Sequence, residues 1–174
     1  MLRIGCGYDI HRTAAQGTLM LGGVRIPADF GLEGYSDADV LLHAVTDAVL
    51  GAFGLGDIGQ WFPDNDPEYR GMASGEMLSR ALAADALCGW RLLNLDSIVI
   101  AETPKLAPHI PGIRQSLASF FRSEPGRVSV KATTNEGIGA IGRCKAIAAY
   151  AVLIMAHEKR IALFGSMDDF EASG

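Results

Sequence analysis

The run GYDIHR (residues 7–12) puts Asp9 and His11 two positions apart in a stretch of strand composition. Side chains at i and i+2 of a strand point to one face, so a carboxylate and an imidazole stand side by side. His43 adds a second imidazole on a segment of helical periodicity, with Asp39 and Asp47 four residues to either side. That spacing aligns all three along one helical face. An imidazole that ligates a metal through one ring nitrogen needs an acceptor at the other, and a flanking carboxylate would supply it. Plainer readings exist: a simple hydrogen bond for Asp9 and His11, and a helix N-terminus that favours acids. The second explains Asp37 and Asp39 well and His43 less well. Asp9, His11 and His43 together make a mixed N and O donor set that zinc accepts. Three protein ligands leave the fourth tetrahedral position open, as catalysis or substrate binding requires. On a regular strand Cys6 faces away from this pair, which predicts a small buried filler.

Two further segments could hold ligands. KATTNEGIG (131–139) ends a strand in hydroxyls, amides and one carboxylate. Such a turn can cradle phosphate through its N–H groups while Glu136 takes a hard cation, although a polar turn without any ligand has the same composition. AETPKLAPHIP (101–111) sets Lys105 in a proline-bounded loop able to clasp a base or nucleotide. Prolines opening a helix account for that pattern equally well. WFPDNDP is ordinary turn composition. His109 and His157 read as structural, the latter near a helix C-terminus.

These groups need positioning elements. The first strand spans about 2–11, and GTLMLGGVRIP reads as a second strand interrupted at Gly22-Gly23. Ser36 or Asp37 caps a helix through about Phe53, with Leu41, Val45, Val49 and Ala52 as its apolar stripe. Ser74 caps a second helix with Met77, Ala81 and Leu82 inward. LLNLDSIVIAE (92–102) is a strand, and Pro108 and Pro111 open a third helix carrying Ile113, Leu117, Phe120 and Phe121. RVSVKAT alternates, with Val128, Val130 and Ala132 on one face. The apolar run from Arg143 to Lys159 predicts a last helix buried all round. The elements sum to an α+β domain: a mixed four- to five-stranded sheet with helices on one face. No spare helix covers the other face, and sheets packed together in an oligomer would.

The chain of 174 residues, 49% hydrophobic, forms one domain over 1–160 with a tail over 161–174 expected to be disordered. A formal charge of -5 argues against a nucleic-acid partner. Cys6, Cys88 and Cys144 are odd in number and scattered, which fits a reducing compartment. The N-terminus lacks a signal-peptide pattern, and AIAAYAVLIMA (146–156) is too short to span a bilayer. The expectation is a soluble cytoplasmic protein with no membrane partner.

Taken together, GYDIH, LGGVRIP, SDADVLLHAVTDAVLGAFGLGDIG, FPDNDP, APHIP and VKATTNEGIG, in order over about residues 2–160, resemble the 2-C-methyl-D-erythritol 2,4-cyclodiphosphate synthase family. The resemblance implies a homotrimer built by packing sheets together, with active sites at subunit interfaces. It implies one zinc ion (Zn2+) per subunit on Asp9, His11 and His43, and Mg2+ or Mn2+ held by Glu136 and the substrate diphosphate. The implied reaction converts 4-diphosphocytidyl-2-C-methyl-D-erythritol 2-phosphate to the cyclodiphosphate plus CMP, in non-mevalonate isoprenoid biosynthesis. By position, Ser36, Asp57, Ile58 and Gly59, with Phe62, Pro63, Asp64, Asn65 and Asp66, would join Asp9 and His11 around the methylerythritol phosphate. Ala101, Pro104, Lys105, Leu106 and Ala107, with Thr133, Thr134, Asn135 and Glu136, would hold the cytidine diphosphate. Thr134 would donate a hydrogen bond as charge develops. Arg143 is kept as a substrate contact.

The chain also departs from the resembled pattern. Cys6 replaces a usual His. Tyr35 stands where the family's histidine steadies the transferring phosphate, and it offers one donor and no positive charge near neutral pH. Ala140, Cys144 and Lys145 alter a segment that lines a central cavity able to take an isoprenoid diphosphate in the resembled family. Lys145 predicts tighter anion binding there. Two other expectations compete with the synthase: a low-activity family member serving as a trimeric isoprenoid-phosphate binding protein, and an unrelated zinc hydrolase. The hydrolase reading lacks a general base near the metal trio and leaves the other motifs unexplained.

Overall fold

In the computed structural model, which describes residues 1–161, strand β1 (Leu2–Ala14) runs the length of the sheet. A hairpin of β2 (Leu19–Leu21) and β3 (Val24–Ile26) comes next, and β4 (Gly31–Leu32) pairs with the end of β1. Helix α1 (Val40–Phe53), the one-turn α2 (Ile58–Trp61) and α3 (Ser74–Leu82) precede β5 (Trp90–Ile100). Helix α4 (Ile110–Phe120) then crosses over to β6 (Val128–Thr133), which lies parallel to β5. Short α5 (Gly139–Gly142), β7 (Ala146–His157) and α6 (Glu158–Ile161) complete the described chain. The tail expected beyond Ile161 lies outside the described residues.

The sheet has five strands in the order β4-β1-β7-β5-β6, and its other pairings are antiparallel. It is therefore mixed, and α1, α3 and α4 build the core with one of its faces. On that face Ile147, Ala149, Ala151, Leu153 and Met155 of β7 are buried. The opposite face leaves Leu2, Ile4, Tyr8, Ile10, Tyr150 and Val152 exposed.

The run expected to be the last helix is the central strand β7, hydrogen-bonded to β1 on one side and β5 on the other. A central strand that is apolar on its open face as well as on its buried one has no polar alternation, so its run carries the same signature as a buried helix. His157 accordingly ends a strand, not a helix. Gly22-Gly23 is no interruption within a strand: both residues have positive φ (61° and 77°) and form the two-residue turn of the β2–β3 hairpin. Ala132 is exposed, so the inward face of β6 is Val128 and Val130 alone. Cys6 does face away from Asp9, but it is exposed on the open sheet face and not buried.

Helix α1 begins later than the sequence suggested, and its cap is Asp39, whose carboxylate accepts from Leu42 N at 3.0 Å. The same carboxylate accepts from Gly22 N at 2.8 Å and Gly23 N at 2.7 Å, fastening the hairpin turn to the helix. Ser74 is not a cap either; it lies inside α3, behind Ala73. Against the sheet, α1 packs at backbone contact. A Cβ on Gly5 would lie 1.8 Å from Ala48 O, and one on Gly7 2.0 Å from Ala44 O. Two glycines in β1 thus set how closely α1, and His43 with it, approaches the strand that carries Asp9.

Candidate active site

Asp9 and His11 project from the helix-facing side of β1, and His43 descends onto them from the second turn of α1. Asp9 Oδ2 lies 2.9 Å from both His11 Nε2 and His43 Nδ1, and the two ring nitrogens are 3.0 Å apart. Three donor atoms therefore converge on one point, as the spacing in the sequence anticipated.

The remaining ring nitrogens are already occupied. His11 Nδ1 donates to Glu33 O at 2.6 Å, which leaves Nε2 with its lone pair directed at the centre. His43 Nε2 lies 2.9 Å from Ser74 Oγ and 3.1 Å from Ser36 Oγ, and the Ser74 hydroxyl donates to Asp37 Oδ1 through a short hydrogen bond. A relay from His43 through Ser74 to the Asp37 carboxylate thus fixes the ring and leaves Nδ1 free to ligate. This corrects the sequence expectation, which assigned that role to Asp39 and Asp47. Asp39 is consumed by backbone N–H groups, and Asp47 accepts from Ile58 N at 2.7 Å. Each imidazole presents one lone pair beside a carboxylate oxygen, and this donor set fits a tetrahedral divalent ion with one open position.

The electrostatics agree. Burial works against ionisation of Asp9, yet hydrogen bonds from His11 and His43 and the charge of the two rings outweigh it, holding its carboxyl well below the usual carboxylate range. Burial likewise pulls the His11 pKa down, but the Asp9 carboxylate and the Glu33 carbonyl raise it overall. Asp39 is pushed up by complete burial, partly offset by its three backbone donors.

A cavity of about 310 Å³ opens beside the trio, walled by His11, Tyr35, Ser36, His43 and, from the α2 loop, Ile58, Gly59, Phe62 and Asp64. All of these were singled out in the sequence as site residues; Met77, expected only to pack inward from α3, and Gly34 also line the cavity. Asp57 caps α2 through Gln60 N at 2.9 Å, and Asp66 caps the turn at 67–69 through Glu68 N at 3.0 Å. Both thereby shape the loop, which also carries Pro63 and Asn65. Tyr35 donates its hydroxyl to Asp66 O at 3.0 Å, with the Arg70 guanidinium 5.6 Å from its ring centroid.

The second group of candidate residues lies elsewhere. Thr133 closes β6, and Thr134 Oγ1 donates to Glu136 Oε1 at 2.9 Å. Glu102, missed in the sequence, accepts from Asn135 N at 2.8 Å and Gly137 N at 3.2 Å. It ties this turn to the loop of Ala101, Pro104, Lys105, Leu106 and Ala107, which contains a cis Thr103–Pro104 bond. In cross-strand register Ile10, Ala148, Ile100 and Thr133 form one row, so both groups sit at the same end of the sheet. Three strand spacings separate them, about 14 Å at 4.7–4.9 Å each. One chain does not bring them together. Arg143, exposed after α5, follows Gly142, which packs against Gly137 beside Glu136, while Ala140 and Lys145 border a cavity of about 500 Å³ with Arg12 and His11.

The YgbB family model matches residues 2–156. The 2-C-methyl-D-erythritol 2,4-cyclodiphosphate synthase of Nostoc sp. is 51% identical over 160 residues, covering 92% of this chain and 97% of its own. The enzyme of the same name from Geobacter sulfurreducens is 52% identical over 154 residues, covering 88% and 98%. A solved structure of 2C-methyl-D-erythritol-2,4-cyclodiphosphate synthase in its CDP-bound form superposes with a TM-score of 0.81 at 38% identity, covering 88% of this chain and all of that one (100%).

Proposed function

The chain belongs to the YgbB family, the 2-C-methyl-D-erythritol 2,4-cyclodiphosphate synthases of the non-mevalonate isoprenoid pathway, and we propose that Asp9, His11 and His43 hold the zinc ion its CMP-releasing cyclisation requires. The observation that carries this reading is the convergence of three donor atoms, both imidazoles with their outer partners in place, on the wall of a cavity built by Tyr35, Ser36 and the α2 loop.

Zinc bound there, with a magnesium or manganese ion carried on the substrate diphosphate at Glu136, would neutralise charge on the phosphoryl oxygens. The rest of the work falls to the chain. Ser36, Ile58, Gly59, Phe62 and Asp64 enclose the methylerythritol phosphate end, with Asp57, Pro63, Asn65 and Asp66 holding their loop in shape. The 101–107 loop, with Lys105, and Thr133 to Glu136 hold the cytidine diphosphate end. The 2-phosphate oxygen then attacks the β-phosphorus, the bond from that phosphorus to the bridging oxygen breaks, and CMP departs with the bridging oxygen. No side-chain nucleophile takes part, so holding the two ends in line is the main catalytic term the protein supplies. Thr134 turns its hydroxyl from Glu136 to the diphosphate as charge grows there, and Tyr35 can donate at the opposite wall only by releasing Asp66 O.

The separation between the two groups of residues supports a site completed by a second copy. The apolar sheet face of Leu2, Ile4, Tyr8, Ile10, Tyr150 and Val152 is the surface for a homotrimer. The cavity bordered by Arg12 and Lys145, near Arg143, suits an isoprenoid diphosphate, and Lys145→Glu should weaken that binding. Unpaired cysteines fit the reducing cytoplasm. Among the described residues no helix is long and apolar enough to cross a membrane.

Phosphorus NMR of the nucleotide substrate tests the proposal. Wild type with zinc and magnesium should release CMP and the cyclic diphosphate in equal amounts, and His43→Ala should release neither at a comparable rate. Equal turnover by the variant would refute the metal assignment.

A further inference from the structure

We infer that Arg70 recognises the 2-phosphate of the substrate, and so sets the preference for the 2-phosphorylated nucleotide over the form that lacks this group. The inference rests on the substrate of the reaction proposed above. The cavity beside the metal-ligating trio must take a methylerythritol that carries a phosphate, yet no lysine or arginine stands among its described lining residues. Its fixed charge is acidic instead: Asp64 lines it, and Asp9 Oδ2 lies 2.9 Å from both of its histidines. Those histidines are committed to the metal, and Tyr35 and Ser36 carry hydroxyls and no charge. A phosphate brought within attacking distance of a diphosphate needs a counter-charge that this lining does not hold.

Arg70 supplies one at the rim. Its guanidinium lies over the ring of Tyr35, 5.6 Å from the centroid, and Tyr35 is a wall residue of the cavity. The chain secures that placement on both sides of Arg70. Before it, Asp66 O accepts the Tyr35 hydroxyl at 3.0 Å; after it, Gly71 N donates to Tyr35 O at 2.8 Å. Gly71 turns the chain there with a φ of 73°, a conformation that favours glycine. Segment 66–71 is thus strapped to Tyr35 at its side chain and its backbone, with Arg70 between the two fastenings. The neighbouring acids are engaged elsewhere. Asp66 caps the turn at 67–69 through Glu68 N, and the Glu68 carboxylate lies 3.6 Å from Arg80. Arg70 itself is exposed and makes no ion pair among the described residues. An exposed arginine is ordinarily a solvated surface group. This one is restrained by an aromatic face of the site while its N–H donors stay available, the state in which a planar fork takes a phosphate through two parallel bonds. A turn of its outer torsions brings the fork past the ring edge to the cavity mouth. Arg70 transfers no proton and forms no covalent bond; it holds the attacking phosphate and offsets its repulsion from the diphosphate.

Two compounds test this in the full-length protein with zinc and magnesium. One is the complete substrate, followed by CMP release. The other is 4-diphosphocytidyl-2-C-methyl-D-erythritol, which lacks the 2-phosphate and is read as a competitive inhibitor. Arg70→Ala should lower kcat/KM for the substrate about 10- to 100-fold, the usual size of a charge-assisted contact, and leave the inhibition constant within about twofold of wild type. Arg70→Lys keeps the charge without the fork and should fall between. Zinc affinity should be unchanged in both variants, which separates a lost contact from a disturbed site. Equal weakening toward both compounds would overturn the inference, because Arg70 would then shape the wall and not read the phosphate. Unchanged kcat/KM in Arg70→Ala would overturn it as well. Wild-type protein that releases no CMP would sink the functional reading and this inference with it, a failure told apart by appearing before any substitution is made.

Discussion

At the scale of single residues, the site depends on which atom holds each imidazole. His11 is oriented by a backbone carbonyl, but His43 relies on the Ser74 hydroxyl with Asp37 behind it. Ser74→Ala should leave the fold intact and lower zinc affinity about tenfold, by the usual cost of losing an outer-shell partner. Competition with a chromophoric chelator measures this, and unchanged affinity would show that Ser36 suffices. The trio also makes the metal-free protein sensitive to pH. The Asp9 carboxyl is depressed in the folded chain, so it contributes stability above its unfolded value of about 4 and loses it as pH falls. His11, raised on folding, contributes below about 6.5 and loses that as pH rises. Metal-free protein should therefore be most stable between those limits in urea titrations, and Asp9→Asn should remove the acid-side loss. Asp9 and His11 were legible as a pair because the strand period fixes neighbours two apart, whereas His43 was picked out by flanking Asp39 and Asp47, which the structure gives other partners. Ser74 was not legible, because its contact with His43 spans 31 residues and a serine before a helix looks like a cap.

At the scale of elements, the site rests on how α1 seats on β1. Gly5 and Gly7 admit the helix to backbone contact, so Gly7→Ala must drive α1 away from the strand two residues before Asp9. We expect about 1–3 kcal/mol of lost stability from such overpacking, with weakened zinc binding as His43 retreats. Equilibrium unfolding and metal titration of the same variant check both. Asp39→Ala removes the acceptor of three backbone N–H groups, two at the hairpin turn and one in α1. It should cost roughly 2–4 kcal/mol, a cap plus buried donors left unpaired. The element whose type was misread in the sequence is β7. AIAAYAVLIMA is apolar at nearly every position because β1 and β5 flank it, α1 covers one face, and the other face is the apolar one left open. Periodicity carries no information where both sides are apolar; the alternation of Ile147, Ala149 and Ala151 on the buried face emerges only once the strand's partners are known.

At the scale of the whole molecule, the sequence showed a sheet lacking cover on one side, and the open face with Ile4 and Val152 is that side. Ile4→Asp with Val152→Asp should convert the proposed trimer to monomers in light scattering and abolish turnover while leaving the trio intact. Which residues cross between subunits was not legible, since one chain specifies both halves of the site without saying whether they meet. Mixing His43→Ala with Glu136→Ala subunits should restore part of the activity that each lacks alone, because some interfaces would then join two intact halves. Everything proposed for the chemistry rests on a metal held by Asp9, His11 and His43. Anomalous scattering at the zinc absorption edge, from crystals of zinc-loaded protein, tests it most directly. One strong peak per chain is expected, within bonding distance of Asp9 Oδ2, His11 Nε2 and His43 Nδ1; a peak at any other set of side chains, or none at this one, would contradict it.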